Sequence, residues 1–168
     1  MDTIYVTEAG QGEHVLVGSD VATLRASSNQ TGGKMLVVES VVPPGGGPPV
    51  MHRHEYAEVF YMIDGVFEVS TADEHNRLRT ITAMAGAVVS VPSMVWHNFK
   101  NIGATEGRLL AVHNSAVMEN FMYEIGQPID DPRNPPVPAG PPSEAEQQRM
   151  MQVITKYMDV LPPSALVS

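Results

Sequence analysis

Residues 1–113 are patterned in short apolar–polar runs that suit strands rather than helices. Ile4 to Val6, His14 to Val17 and Val21 to Ala26 are brief, are separated by Gly-rich or polar turns, and each predicts a strand. Lys34 to Val42 predicts a longer one, ended by Pro43-Pro44-Gly45-Gly46-Gly47-Pro48-Pro49, which cannot continue a hydrogen-bonded ladder. Phe60-Tyr61-Met62-Ile63 and Val66-Phe67-Glu68-Val69 flank Asp64-Gly65, the signal of a tight hairpin with Gly65 at positive φ. Arg77 to Ala83, Ala87 to Val91, Val95 to Asn101 and Gly107 to His113 continue the pattern. Roughly ten short strands with no long helix between them predict an antiparallel sandwich or barrel.

The pattern then changes. Between Ser115 and Ile125, the residues Met118, Phe121, Met122 and Ile125 recur at helical spacing, and Gly126 follows as a stop. Gln127 to Pro142 is proline-rich and predicts an extended segment. Ser143-Glu144-Ala145-Glu146 reads as a capping box, and Met150, Met151, Ile154, Tyr157, Met158 and Leu161 give the helix it starts an apolar stripe. The expected division is therefore residues 1–126 as a β-barrel with a short flanking helix, and residues 127–168 as a proline-rich linker and a C-terminal helix packed on the barrel or on a partner subunit.

Composition sharpens this reading in a few respects. The chain has 168 residues, 43% of them apolar, enough for one core. Its 14 glycines and 14 prolines suit strands joined by many turns. Cysteine is absent, which excludes disulfides, thiolate zinc sites and cysteine nucleophiles, so any transition metal must rely on the six histidines and on carboxylates. A net charge of -9, with Arg77, Arg79, Lys100 and Arg108 scattered, argues against a nucleic-acid partner. No apolar run approaches the roughly 18 residues that cross a bilayer, so no membrane partner is expected. The start, Met1-Asp2-Thr3-Ile4-Tyr5, has neither the basic segment nor the apolar stretch of a secretory signal, and a cytoplasmic location is expected.

The chemistry concentrates at His52, His54 and Glu58, spaced i, i+2 and i+6. Even offsets along a strand point to one face, so two imidazoles and a carboxylate would converge as half of a transition-metal site. His97 is the candidate further ligand, because Pro92 and the turn after it re-aim the strand that carries it. By composition, His-x-His-x3-Glu-x6-Gly arises by chance in roughly one such sequence per thousand.

Gly46-x5-His52-x-His54-x3-Glu58-x6-Gly65 resembles the first signature motif of the cupin superfamily, and Gly86-x5-Pro92-x-Met94-x2-His97-x3-Asn101 resembles the second. One position departs: the family usually has a glycine where this chain has Met94, and a methionine in that turn would narrow the pocket mouth. The segment Phe121-x-Tyr123-Glu124-Ile125-Gly126-x-Pro128-x-Asp130, with the proline-rich run and the terminal helix, is similar to the tails of single-domain cupins described as quercetin-dioxygenase-like. The resemblance implies an all-β fold, the double-stranded β-helix or jelly-roll barrel, with a C-terminal α-helical extension. It also implies one divalent metal per chain, held by His52, His54, Glu58 and His97. Iron, nickel, manganese, cobalt, copper and zinc all suit that ligand set.

Such a site leaves a divalent metal two open positions in an octahedron, enough for a substrate and dioxygen together. The implied activity is a quercetinase-like dioxygenase that cleaves a flavonol or related enolic aromatic molecule, with Glu58 as both ligand and base. Two other readings stand beside it: a redox-neutral cupin acting as a polyketide cyclase or isomerase, and a non-catalytic cupin that binds a small ligand. The pocket wall is expected from Tyr56, Phe60 and Met62 on the His52 face, Phe99 on the His97 face, and Met94 at the mouth. Glu39 is expected to face solvent, His14 and His75 to lie at the surface, His113 to be a structural histidine, and the methionines to be packing material. Small cupins commonly pair through sheet edges, so a homodimer is expected.

Overall fold

Short strands with one apolar face are stable only when that face is covered, and here two antiparallel sheets cover each other. The computed structural model describes residues 3–137, 140 and 142–167. Met1 and Asp2 of the start, and Pro138, Ala139 and Pro141 of the proline-rich run, lie outside the described residues. The first elements are β1 (Glu13–Val17), β2 (Asp20–Ala26), α1 (Ser28–Thr31), β3 (Leu36–Val42), β4 (Met51–Arg53) and β5 (Glu58–Asp64). Next come β6 (Val66–Ala72), β7 (Leu78–Met84), β8 (Val88–Val91), β9 (Trp96–Asn101) and β10 (Gly107–His113). The chain ends with α2 (Val117–Ile125), β11 (Gln127–Ile129), α3 (Glu144–Tyr157), β12 (Asp159–Leu161) and a short 3-10 turn at Pro163–Ala165.

The seven-stranded sheet runs β11-β1-β2-β3-β10-β5-β8, and the five-stranded sheet runs β12-β4-β9-β6-β7. Alternation along β5 buries Glu58, Phe60 and Met62 and exposes Val59 and Tyr61, as a sheet with one covered face requires. Phe60, Met62, Phe67, Val69, Leu109 and Ala111 form one core cluster between the sheets. A second joins Val15, Leu24, Leu36 and Val38 to Met118 and Phe121 of α2 and to Val153 and Ile154 of α3. Asn101 is buried and stays polar because its Nδ2 donates to the carbonyls of Val42 (2.8 Å) and Thr105 (2.9 Å).

Several local expectations are corrected. Asp64-Gly65 does not close a hairpin: β5 pairs with β10 and β8, whereas β6 pairs with β7 and β9. The corner instead carries the chain from one sheet to the other. Gly65 has φ +90°, and a Cβ there would lie 2.7 Å from the Cα of Gly107, so both its backbone conformation and its missing side chain are needed. Gly126 does end α2 as expected, in an extended conformation, and the chain turns directly into β11, which pairs with β1. Because β11 occupies that edge of β1, no edge is open there for the expected Ile4–Val6 strand, and residues 3–8 run without regular structure.

The Ser143 capping box forms as expected: Ser143 Oγ accepts from the Glu146 amide, and the Glu146 carboxylate accepts from the Ser143 amide. The helix it starts ends sooner than its apolar stripe suggests. Leu161 belongs to β12, which pairs with β4 and sets Val160 opposite His52. The backbone groups that β4 would otherwise present at an edge recruit the tail into the sheet. Among the described residues, no helix is long and apolar enough to cross a membrane.

Candidate metal centre

The expected ligands meet, but not by lying along one strand. β4 stops at Arg53, so His52 belongs to the five-stranded sheet while Glu58 opens β5 in the other. His54 sits in the connection between them. Register sets His52 directly opposite His97 on β9, with ring centroids 4.3 Å apart. The ligand nitrogens of His52, His54 and His97 lie within 4.8 Å of one another. Glu58 approaches from the other sheet, with Oε1 2.6 Å from His97 Nε2 and 3.6 Å from His54 Nε2.

Hydrogen bonding fixes which nitrogen faces inward. The Nδ1 atoms of His52, His54 and His97 lie 3.1, 2.8 and 2.8 Å from the carbonyls of Val50, Tyr56 and Val95. A carbonyl only accepts, so each Nδ1 carries the proton and each neutral imidazole keeps its lone pair on Nε2. Among the described residues, His54 Nε2, His97 Nε2 and Glu58 Oε1 are buried without a hydrogen-bond partner. Convergent, unpartnered lone pairs are costly in a protein interior and are satisfied by a cation among them. The donor set of imidazole nitrogen and carboxylate oxygen, with no sulfur, fits a divalent transition metal. The Tyr56 ring stacks on that of His54 (3.8 Å, 8° between planes), fixing its orientation.

Burial pushes the Glu58 carboxyl up, but hydrogen bonding from the surrounding histidines, led by His113, outweighs burial and holds it well below the usual carboxylate range. Burial, reinforced by neighbouring His97, pulls His52 down to about 4, so its imidazole is neutral at pH 7.

Of the cluster, His52 and Glu58 line a cavity of about 350 Å³. Phe60 and Phe99 line it, together with Leu109 and Ala111 from the sheet and Met118 and Ile154 from the helices. Tyr56 and Met62 do not: Tyr56 is spent on His54, and Met62 lies within the core cluster of Phe60 and Phe67. Met94 does not narrow the mouth either. It is 42% exposed and holds φ +62°, the left-handed conformation that the family's usual glycine adopts freely, while its amide donates to the His54 carbonyl (2.9 Å). Met94→Gly is expected to raise stability by roughly 0.5–1 kcal/mol, since relief of the left-handed penalty exceeds the added entropy of the unfolded chain. Thermal unfolding checks this, and a lowered midpoint would mean that the side chain packs usefully.

Two further residues of the site were not legible as such. His113, expected to be structural, is buried with Nδ1 3.0 Å from Glu58 Oε2. Asp20 lines the cavity, and burial pushes its carboxyl up to about 6 although Ser19 and the Gly47 amide donate to it. Both reach the cavity through strand pairings that no local spacing reveals. Glu39 stays out of it, ion-paired with Arg25 (3.6 Å) and Arg108 (4.0 Å). His75 is exposed, and His14 is half-buried with Nδ1 2.9 Å from Thr23 Oγ1.

Comparison with known proteins follows the same lines. Residues 38–113 match the family model of the cupin domain. Quercetin 2,3-dioxygenase of Bacillus subtilis (strain 168) is 28% identical over 128 residues, which covers 75% of this chain and 36% of that protein, so the chain spans about a third of that relative's length. Among solved structures, an RmlC-like cupin from Shewanella frigidimarina aligns with TM-score 0.56 at 21% identity, over 71% of this chain and 96% of that one. The polyketide cyclase RemF from Streptomyces resistomycificus aligns with TM-score 0.59 at 16% identity, over 90% of this chain and 99% of that one. Both likenesses are of fold. The two sheets and the signature spacings agree with the match over residues 38–113, and that segment has the character of a cupin domain.

Proposed function

We propose that the chain is a metal-dependent dioxygenase, quercetinase-like, that oxidatively cleaves a flavonol or a related enolic aromatic molecule. The observation that carries this reading is the cluster of three histidines with the Glu58 carboxylate, of which His52 and Glu58 reach the wall of a largely apolar cavity. The likeness to the Bacillus subtilis quercetin dioxygenase over 128 residues supports it. A divalent metal held by His52, His54, His97 and Glu58 would supply Lewis acidity toward an enolic oxygen and a place for dioxygen to meet it. Glu58, kept anionic by its histidine contacts, accepts the hydroxyl proton. Phe60 and Phe99, packed edge to face at 5.4 Å, give the cavity an aromatic wall for a flat ring to lie against, and the apolar lining keeps water from the reacting atoms. The same reading keeps the chain as a homodimer paired through sheet edges, for which Ile81 and Met84 of β7 offer exposed apolar surface.

The test is metal analysis combined with an oxygen electrode. Purified protein is expected to carry about one redox-active metal per chain and to consume oxygen when flavonols are added. Full loading without oxygen uptake, across flavonols and catechol-like enols, would overturn the oxidative reading in favour of a redox-neutral cyclase or isomerase.

A further inference from the structure

We propose that His113 is the positioning residue for Glu58: from β10 it holds Oε2 of the carboxylate and so keeps Oε1 turned toward His54 and His97. The inference rests on the metal centre proposed above.

Strand pairing makes the contact. His113 and Glu58 are register partners across β10 and β5, both side chains point inward, and each is 3% exposed. Directly opposed residues on one face place their Cβ atoms within about 5.5 Å, a span that an imidazole and a carboxylate fill together. The observed Nδ1–Oε2 distance is 3.0 Å.

His113 differs from the other buried histidines in how its nitrogens are used. Those of the cluster each place Nδ1 against a backbone carbonyl, whereas neither ring nitrogen of His113 has a hydrogen-bond partner of good geometry among the described residues. A neutral imidazole must carry one proton, and a buried N–H without an acceptor is costly. Glu58 Oε2 is the acceptor within reach, so the proton belongs on Nδ1 and a small rotation of the ring aligns it. A histidine that served packing alone would not bring an unmatched pair of nitrogens to a carboxylate.

The ring has little freedom to leave. Tyr56 presents an edge-to-face contact to His113 at 5.8 Å while stacking on His54 at 3.8 Å. His54 Nε2 in turn lies 3.6 Å from Glu58 Oε1. His54, Tyr56, His113 and Glu58 thus close a circuit of contacts. A glutamate alone has rotatable bonds that can turn either oxygen away; with Oε2 tethered, Oε1 is left facing the histidine nitrogens.

Cobalt(II) titrated into the metal-stripped chain, followed by its d–d absorption, tests this without reference to activity. His113→Phe keeps the ring volume and removes the donor; it is expected to weaken cobalt binding by about 10–100-fold, the usual effect of losing an outer partner, and to change the absorption envelope. His113→Asn places an amide N–H where Nδ1 sits and is expected to recover most of the affinity. His113→Gln, whose amide reaches the Nε2 position instead, is not. Circular dichroism reports folding, and if His113→Phe does not fold, the Asn and Gln variants carry the comparison. Wild-type affinity and spectrum in His113→Phe, or no advantage of Asn over Gln, would overturn the inference alone. No cobalt binding by the wild-type chain would overturn the metal centre and the inference with it.

Discussion

His54→Ala is expected to leave the purified protein essentially free of metal, with affinity for a divalent ion lowered by well over the ~100-fold that loss of an outer partner costs. The histidine is buried, its Nδ1 is committed to the Tyr56 carbonyl, and its Nε2 has no hydrogen-bond partner among the described residues. It is also the ligand from the connection that links the two sheets, so the remaining imidazoles, His52 and His97, would face Glu58 with one direction of approach open. The substitution leaves intact the Met94 amide bond to the residue 54 carbonyl, which shapes the turn, and the fold is expected to survive. Metal content after dialysis, with circular dichroism as the control for folding, is the measurement. Stoichiometric metal in the alanine variant would exclude His54 from the site.

Glu58→Gln is expected to separate binding from chemistry. The two side chains have the same shape, but an amide cannot accept a proton at neutral pH, and loss of a general base typically lowers rates by about 10²–10⁴-fold. Metal retention should fall only in part, for a geometric reason. In the wild type, one carboxylate oxygen faces the His113 Nδ1–H and the other faces the lone pairs of His97 and His54. A glutamine that keeps its oxygen toward His113 turns its NH2 group toward His97, where it competes with an ion for the Nε2 lone pair; the reverse rotamer sets two donors against each other. Oxygen uptake with a flavonol, measured at saturating metal, reads the turnover, and metal analysis reads the retention. Turnover equal to the wild type would remove Glu58 from the role of base.

The candidate site was legible in the sequence for a reason different from the one its spacing suggests. The i, i+2, i+6 rule places His52, His54 and Glu58 on one face of one strand, whereas β4 ends at Arg53 and the chain crosses to the other sheet before Glu58. The spacing therefore marks a corner of fixed length, and the residues converge because the sheets face each other. Met94 was visible as the departure from the motif, yet its effect is on backbone conformation at a turn and not on the cavity. Strand parity sets Phe60 and Met62 on one face, yet Phe60 lines the cavity and Met62 lies in the core cluster, because parity gives a face and not a depth along the barrel.

By itself the sequence determined the sequence-local properties of this protein: strand-rich alternation up to His113, the capped helix after Ser143, and a sulfur-free set of histidines with Glu58. These follow from backbone propensity, side-chain period and donor chemistry, which act over a few residues. Only the tertiary structure decided that Asp64-Gly65 joins two sheets, that Asp159–Leu161 is a strand beside His52, and that His113 meets Glu58. Each is a pairing between segments distant along the chain. Such pairings are selected by burial of whole sheet faces and by the need of every strand edge for a partner, and no local spacing encodes those demands.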